Sequence, residues 1–219
     1  MFDAYLEQRA AHRHETFVPF DIRNDYDRTV DGRPRNDGVR TFLASRGITL
    51  SEGSPDDPPG TETVNGLAAR KNELVLALFR QGAVSAYPGS VRFVRAVRDH
   101  GLKTAVVSAS ANCAEVLASA GITDLLDARV DGIVAQQLGL RGKPEPDTYL
   151  AAARMLDVEA GSAAVFEDAL AGVAAGRAGS FGLVVGVDRV GQADELRDQG
   201  ADVVVRDLAE LLDDPGGAV

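Results

Sequence analysis

A short apolar run that ends in two adjacent carboxylates constrains this chain more than any other feature of its sequence. Residues 163–176 read Ala-Ala-Val-Phe-Glu-Asp-Ala-Leu-Ala-Gly-Val-Ala-Ala-Gly, which predicts a buried strand, an acidic turn and a closely packed helix. Glu167 and Asp168 would then lie at the carboxyl end of a strand, the edge where open α/β sheets bind ligands, and carboxylates suit Mg²⁺. The alternative is that Asp168 merely caps the helix. This stretch alone favours neither interpretation.

Strand-like and helix-like segments alternate from residue 87 onward. The pattern predicts helices over 91–100 and 146–156, strands over 103–108, 183–187 and 202–205, and a segment over 122–134 that contains Asp131 and Gly132. Such alternation is typical of a doubly wound α/β core, in which helices form layers on both faces of a parallel sheet. Residues 213–219 have the composition of a frayed tail.

The first part of the chain differs, since residues 1 to about 82 show helical spacing and no convincing buried strand. Apolar residues recur at helical intervals near the N-terminus, before Gly47 and between Leu67 and Phe79. Residues 17–35 read as irregular and residues 51–60 as a polar loop. We therefore expect two domains, a helical module over 1–82 and an α/β core over 83–219.

Composition excludes several classes of partner and location. A net charge of −10 argues against nucleic acid, whose binding depends on Lys and Arg. No apolar run approaches the roughly 20 residues of a membrane span, and the N-terminus lacks the pattern of a signal peptide. The single cysteine, Cys113, suits a reducing cytoplasm. Only three residues are lysines, Lys71, Lys103 and Lys143, so each is conspicuous.

Three polar features fall at the loop edge of the predicted core. Ser108 to Asn112 places hydroxyls and free backbone amides at a helix start, which favours an anion; the alternative is a plain Ser N-cap. Lys143 lies in a turn rich in proline, where the alternative is a solvated surface lysine. Glu167 and Asp168 are the third feature. Together a hydroxyl, a lysine and paired carboxylates suit a phosphoryl group and Mg²⁺.

These segments resemble motifs II, III and IV of the haloacid dehalogenase superfamily, and the whole chain resembles its β-phosphoglucomutase-like branch. The resemblance implies catalytic roles for two residues: Ser108 holds the transferring phosphate and Lys143 neutralises its charge. It further implies that Glu167 and Asp168 hold Mg²⁺. Ala109 joins Ser108 at the transferring phosphate, and Ser110 and Asn112 contact the phosphate region of the substrate.

The helical module resembles the mobile cap of the same family. Residues 30–38, with Gly32 and Arg35, resemble the cap loop that grips a second phosphate, and Arg35 is the expected contact. Lys71 resembles the cap lysine that reaches toward the active site. The alternatives are a solvated basic loop and an ordinary helix face.

One defining element of the family is not found in the sequence: an apolar strand ending in Asp-x-Asp-Gly, whose first Asp attacks phosphorus. Asp25 and Asp27 spell Asp-x-Asp, but a proline and polar residues precede them where a buried strand is required. We therefore expect a misplaced start, a sheet with a gap between the strands that end at Ser108 and Asp168, and no turnover by these 219 residues.

The polar residues suit a phosphoryl group and Mg²⁺, and the resemblance implies Mg²⁺-dependent phosphoryl transfer on a small phosphosugar, namely the interconversion of glucose 1-phosphate and glucose 6-phosphate. A sugar-phosphate phosphatase and a non-catalytic phosphate-binding protein are the alternatives. A nicotinamide-dependent dehydrogenase is disfavoured because no Gly-x-Gly-x-x-Gly follows any strand. We expect a monomer in the cytoplasm, with no nucleic-acid or membrane partner.

Overall fold

A computed structural model of the protein describes residues 1–80 and 85–212. The chain divides into two compact units, Met1–Ala83 and Val84–Val219. The domain boundary expected between residues 82 and 83, and the tail expected over 213–219, both lie outside the described residues. None of the described helices is both long and apolar enough to cross a membrane.

The first unit is built from helices around an aromatic core. Its α-helices are α1 (Phe2–Arg13), α2 (Arg35–Ser45) and α3 (Val64–Arg80). The rings of Phe2 and Phe42 lie 4.3 Å apart between centroids, and Phe20 lies within 5.2 Å of both. Burial of these apolar side chains is the main stabilising contribution to such a small unit.

The prediction of irregular structure over residues 17–35 is wrong for the middle of this range. Ile22–Val30 forms a π-helical segment, in which the N–H of Tyr26 bonds to the Asp21 carbonyl and that of Asp31 to the Tyr26 carbonyl, five residues back. The Asp21 side chain caps the segment by accepting from the Asn24 N–H at 2.7 Å. Apolar periodicity does not reveal such a segment, because its polar anchors hold it in place.

The second unit alternates helices and strands. In chain order its strands are β1 (Ala105–Val107), β2 (Ala128–Val130), β3 (Ala164–Glu167), β4 (Leu183–Val187) and β5 (Val203–Val205). Its α-helices are α4 (Pro88–Asp99), α5 (Cys113–Ser119), α6 (Gly132–Gln137), α7 (Asp147–Met155), α8 (Leu170–Ala178) and α9 (Ala193–Asp198). Short 3₁₀ turns occur at Thr123–Leu125, Ala160–Ser162 and Leu208–Leu211.

The strands form two separate parallel sheets. In one sheet β1 pairs with β2, and in the other the strand order is β3-β4-β5. Within the described residues β1 pairs with β2 alone and β3 with β4 alone. The parallel pairing expected from the alternation is confirmed, and the break falls where the sequence predicts a gap, between the strands that lead to Ser108 and Asp168.

Helix α7 packs against both sheets. Its Ala151 and Ala152 lie in a buried cluster with Val130 of β2. Its Tyr149 and Ala153 lie in the cluster around β3 and β4. Val107 of β1 packs against both clusters. The helix therefore joins two sheets that share no strand.

Candidate active site

Lys143 and Glu167 form a buried ion pair at the carboxyl end of β3. The Lys143 Nζ lies 2.6 Å from the Glu167 Oε2, and the two side chains are only 6% and 10% exposed. Lys143 belongs to the turn before α7, where its peptide bond to Pro144 is cis, and Glu167 is the last residue of β3. Buried charges are costly unless they are paired. The alternative of a solvated surface lysine is therefore wrong.

A tyrosine that the sequence does not single out contacts both members of this pair. The Tyr149 hydroxyl donates a hydrogen bond to the Glu167 Oε2 at 2.5 Å, and the ring centroid lies 4.9 Å from the Lys143 Nζ. Burial, and then the charge of Glu167, raises the pKa of Tyr149 well above its ordinary value, so the hydroxyl keeps the proton that it donates. Spacing gives no signal here, because 18 residues separate Tyr149 from Glu167.

Asp168 opens to solvent beside the ion pair. It is not the helix cap of the alternative interpretation, because the N-cap position of α8 is Ala169. Partial desolvation, followed by the charge of Glu167, raises the pKa of Asp168. Lys143 and Arg189 oppose the rise. A carboxyl in this state is one that a nearby cation would stabilise.

The donor set at this loop fits Mg²⁺. Glu167 is engaged at both oxygens, since Oε2 accepts from Lys143 and Tyr149 and Oε1 accepts from the Ala169 N–H at 3.1 Å. Asp168 is therefore the carboxylate that a cation can approach. The part of the chain that the structure describes contains no group of three or more His, Cys, Asp or Glu side chains arranged to hold a metal ion. Mg²⁺ does not require one, because it commonly binds through one or two carboxylates and keeps several waters.

Glycine at position 172 lets the Glu167 side chain lie against α8. A Cβ at Gly172 would come within 2.2 Å of the Glu167 Cδ, a separation that atoms cannot adopt, so any larger residue would displace the carboxylate. Gly176 similarly brings α8 close to Val165 of β3, 3.2 Å from the position of a Cβ. The close approach predicted from the Ala/Gly series is thus present, and part of it is directed at a site residue.

The predicted phosphate-binding loop follows β1, in the other sheet. The Ser110 N–H donates to the Ser108 Oγ and the Asn112 N–H donates to the Ser110 Oγ, each at 3.1 Å. The expectation of free backbone amides is therefore wrong for these two groups. Each hydroxyl accepts through a lone pair and can still donate its own proton to an anion. Ser108 is not an N-cap, because α5 begins at Cys113 with Asn112 at the cap position.

Asp131 and Gly132, at the end of β2, support this loop. The Gly132 N–H donates to the Ser110 carbonyl at 3.1 Å, and a Cβ at Gly132 would lie 2.8 Å from the Ala109 carbonyl oxygen. Asp131 is 1% exposed; it caps α6 through two N–H groups and pairs with Arg129 at 2.9 Å. The sequence shows this Asp-Gly pair but does not reveal its supporting role.

Arg35 and Lys71 are close enough to interact in the first unit. Arg35 donates to the Asn72 Oδ1 at 2.7 Å, and the Lys71 Nζ lies 5.9 Å from the Tyr26 ring centroid. Burial lowers the pKa of both cations; at Lys71 the charge of Arg35 adds to the lowering and Asp31 opposes it. Both side chains are half-buried, so neither is fully solvated, and their role at a second phosphate stays a prediction.

Gly32 makes the turn that leads to Arg35. Its φ is 68°, in the left-handed region that favours glycine. Arg35 is the first residue of α2, and the N–H of Gly38 bonds to the Pro34 carbonyl at 2.9 Å. The predicted cap loop is therefore a defined turn followed by a helix start.

The internal Asp-x-Asp string lies in the first unit and serves its structure. Asp25 is buried in the π-helical segment, where both of its carboxylate oxygens accept from the Arg46 guanidinium. The hydrogen bonds from Arg46, and then that from the Asp21 N–H, lower the pKa of Asp25 against the opposing effect of burial. A carboxylate enclosed in this way on a helical segment does not match a nucleophile at a strand end.

A family comparison covers most of the chain. Residues 4–179 match the model of a family described as haloacid dehalogenase-like hydrolase. The chain belongs to this hydrolase family. The resemblance and the fold class expected from the sequence are both confirmed. The matched range includes the Ser108 loop, Lys143, Glu167 and Asp168.

Similarity to named members of the haloacid dehalogenase-like family is high. Two proteins named Beta-phosphoglucomutase, from Mycobacterium bovis and Mycobacterium tuberculosis, are each 54% identical over 215 residues, which is 97% of this chain and 82% of theirs. A crystal structure of beta-phosphoglucomutase from Clostridium difficile matches with a TM-score of 0.72 and 23% identity, over 96% of this chain and 85% of that one. The structural match shows the shared fold.

Proposed function

We propose that this protein is a β-phosphoglucomutase-like enzyme that transfers a phosphoryl group on a small phosphorylated sugar with Mg²⁺. The reaction proposed is the interconversion of glucose 1-phosphate and glucose 6-phosphate. The observation that carries the proposal is the buried Lys143–Glu167 pair beside the solvent-facing Asp168 at the end of β3. The 54% identity to proteins named Beta-phosphoglucomutase supports it.

Each site residue then has a chemical role. Lys143 offsets the negative charge of the transferring phosphoryl group, which grows more concentrated toward the transition state. The Ser108 hydroxyl, with the Ala109 backbone, holds that group, while Ser110 and Asn112 contact the substrate phosphate region. When Mg²⁺ is bound, Asp168 would hold it directly and Glu167 through a water, and the ion would neutralise phosphate charge.

The cation pair in the first unit would bind a second phosphate. Arg35 and Lys71 have lowered pKa values because burial disfavours their charged forms, so a bound anion would stabilise both. Guanidinium groups bind phosphate through paired hydrogen bonds. A mutase requires such a grip, because its bisphosphorylated intermediate must be retained and shielded from water. We propose that Arg35 and Lys71, beside the Gly32 turn, provide it as part of a cap.

The reaction also needs a nucleophilic aspartate, which the resemblance assigns to an Asp-x-Asp-Gly segment after a buried strand. Strands β1 and β3 each pair on one side only among the described residues. A parallel strand between them would pair with both and would bring its terminal aspartates to the edge that carries Ser108 and Glu167. We propose that turnover requires this strand and that residues 1–219 alone bind phosphate without turning it over.

The experiment compares residues 1–219 with the same chain preceded by an apolar strand ending in Asp-x-Asp-Gly. Each protein is incubated with β-glucose 1-phosphate, a trace of the bisphosphate and Mg²⁺, and glucose 6-phosphate and released phosphate are measured. The extended form should produce glucose 6-phosphate. Asp168→Asn should abolish production, and the exposed Asp198→Asn should leave it unchanged. Production by the short form, or by extended Asp168→Asn protein, would contradict the proposal.

Phosphatase activity is the second candidate, and the hydrolase description of the matching family favours it. The same experiment separates the two, because a phosphatase releases phosphate in proportion to substrate loss and forms no glucose 6-phosphate. Phosphosugar binding without turnover in either form would instead support the non-catalytic alternative.

A further inference from the structure

Tyr149 lies where three interactions meet. Its hydroxyl donates to the Glu167 Oε2, the same atom that accepts from Lys143, and its ring faces the Lys143 Nζ. The ring also makes an edge contact with Phe181, with centroids 5.9 Å apart, inside a buried cluster that includes Val165. A rigid ring held by the core thus presents one polar atom and one π face to the ion pair.

The two charged side chains need a rigid neighbour to hold them in one geometry. Lys143 and Glu167 have long, flexible side chains, which lose rotamer freedom when they are held in one geometry. Glu167 also lies next to Asp168, so a cation at Asp168 would attract its carboxylate away from Lys143. Tyr149 opposes that movement, because a hydrogen bond to a charged acceptor is stronger than one between neutral groups. The Lys143 ammonium is held from a second side by the ring face.

We propose that Tyr149 is a positioning residue, which keeps Glu167 on Lys143 and so holds the Lys143 ammonium where it meets a phosphate group. The inference rests on the proposed function, since it assumes that a phosphate binds at Lys143. Tyr149 acts through Lys143 and Glu167. A tyrosine that only filled the core and found a convenient hydrogen-bond acceptor would have no such effect on phosphate.

Removal of the hydroxyl alone tests this role. Tyr149→Phe keeps the ring, its contact with Phe181 and the cation–π contact. We expect the dissociation constant for inorganic phosphate, measured by calorimetry on residues 1–219 with saturating Mg²⁺, to rise about tenfold. Tyr5→Phe is a matched control, because the Tyr5 hydroxyl also donates to a glutamate, Glu62, at 3.2 Å. This control should bind phosphate as the unchanged protein does.

A double-mutant cycle shows whether Tyr149 acts through the lysine. Lys143→Met should weaken phosphate binding more than Tyr149→Phe does, and the double variant should bind no more weakly than Lys143→Met alone. Circular dichroism and thermal unfolding establish that each variant is folded. Where Lys143→Met fails to fold, Lys143→Arg replaces it, because it keeps the charge and changes the geometry.

The outcomes separate this inference from the proposed function. Failure of the unchanged protein to bind phosphate with Mg²⁺ would overturn both. Phosphate binding by the unchanged protein together with equal binding by Tyr149→Phe would overturn the Tyr149 role alone. A tenfold loss that persists in the Lys143→Met background would also overturn it, since the hydroxyl would then act on the fold in general.

Discussion

Two buried ion pairs, one in each unit, contain the same kinds of group and differ in their surroundings. In the first unit Arg46 bonds to both oxygens of Asp25, which also accepts the Asp21 N–H at 2.8 Å. In the second unit the Lys143–Glu167 pair has a further carboxylate, Asp168, next to it. The pKa of Asp25 is lowered by its hydrogen bonds, whereas the pKa of Asp168 is raised by desolvation and by Glu167.

The comparison distinguishes an ion pair that stabilises the fold from an ion pair that is arranged to bind a ligand. One cation neutralises one carboxylate at Asp25, and the surrounding donors satisfy it. At the end of β3 Lys143 pairs with Glu167, and the pKa of the neighbouring Asp168 stays raised although Lys143 and Arg189 oppose the rise, so a bound cation would stabilise the Asp168 carboxylate. We therefore expect substitutions at Asp25 to affect the stability of the first unit, and substitutions beside Lys143 to affect ligands.

The largest effect is expected at Asp168. A dispensable carboxylate there would contradict the difference that we draw between the two ion pairs. In protein that shows turnover, Asp168→Ala should lower kcat by about a thousandfold, because the ion that neutralises the phosphate loses its direct ligand. Calorimetry should show loss of Mg²⁺ binding, with an unchanged far-UV circular dichroism spectrum. Near-normal turnover by a well-folded variant would remove Asp168 from the site. A smaller loss is expected for Glu167→Gln.

Asp25→Asn should have the next largest effect, and it should act on stability. The substitution removes the charged partner of Arg46 and leaves its guanidinium with the Pro19 carbonyl and a neutral amide as acceptors, which costs about 3 kcal/mol of unfolding free energy. Urea unfolding of the whole protein measures it. Asp27→Asn, two residues away in the same segment, is the control and should change the free energy by less than about 0.5 kcal/mol. If Asp25→Asn lost phosphate binding and kept its stability, the roles that we assign to the two ion pairs would be wrong.

The same pair predicts a pH dependence. Because the pKa of Asp25 is lowered in the folded state, its contribution to stability is complete above the unfolded value of about 4 and is lost as the pH falls through the lower folded value. Wild-type protein should therefore lose more unfolding free energy than Asp25→Asn when the pH falls from 5 into this acidic range. Parallel curves for the two proteins would show that Asp25 has the same pKa in both states.

Lys143→Ala tests the role of the other ion pair in ligand binding and turnover. We expect kcat to fall about a hundredfold with a smaller rise in KM, because the lysine offsets charge that is concentrated in the transition state. Steady-state kinetics in protein that shows turnover would measure both constants, with Lys103→Ala as the control lysine. A change confined to KM would assign Lys143 to ground-state binding alone.

The smallest effect is expected at Arg35. If this side chain holds a second phosphate, Arg35→Ala should weaken the binding of a bisphosphorylated sugar about tenfold and leave the binding of an aryl phosphate unchanged. Competition kinetics with the two ligands measures the difference, and Arg33→Ala in the same loop serves as a nearby comparison. Equal losses on both ligands would favour a general phosphatase.

Much of the second unit follows from local patterns. Each predicted strand is present, and Glu167, Asp168 and Ser108 lie at strand ends as expected, since apolar runs and the turns that follow them are properties of neighbouring residues. Pairing of Lys143 with Glu167 is consistent with the same topology. The support provided by Tyr149, Asp131 and Gly172 could not be predicted, because it depends on three-dimensional contacts that no spacing rule describes.

The first unit shows a different limit of sequence interpretation. The helices around Phe42 follow from their apolar spacing, but the π-helical segment Ile22–Val30 does not, because Arg46 anchors it from 21 residues away. The prediction of free amides in the Ser108 loop is also wrong for Ser110 and Asn112, since a serine hydroxyl accepts a hydrogen bond from a nearby backbone N–H as readily as a ligand does. Whether a backbone N–H bonds to a neighbouring side chain or to a ligand depends on three-dimensional geometry.

Helix α7, which packs against both sheets, has a consequence for local opening of the second unit. An amide in a helix exchanges its hydrogen when the surfaces that cover the helix separate, and α7 is covered by β1 and β2 on one side and by β3 and β4 on the other. Its exchange should therefore have a free energy close to that of global unfolding. The six-residue helix α9, at Ala193–Asp198, should exchange through smaller fluctuations. Slow exchange in α7 would identify it as the element through which two separate sheets unfold as one cooperative body.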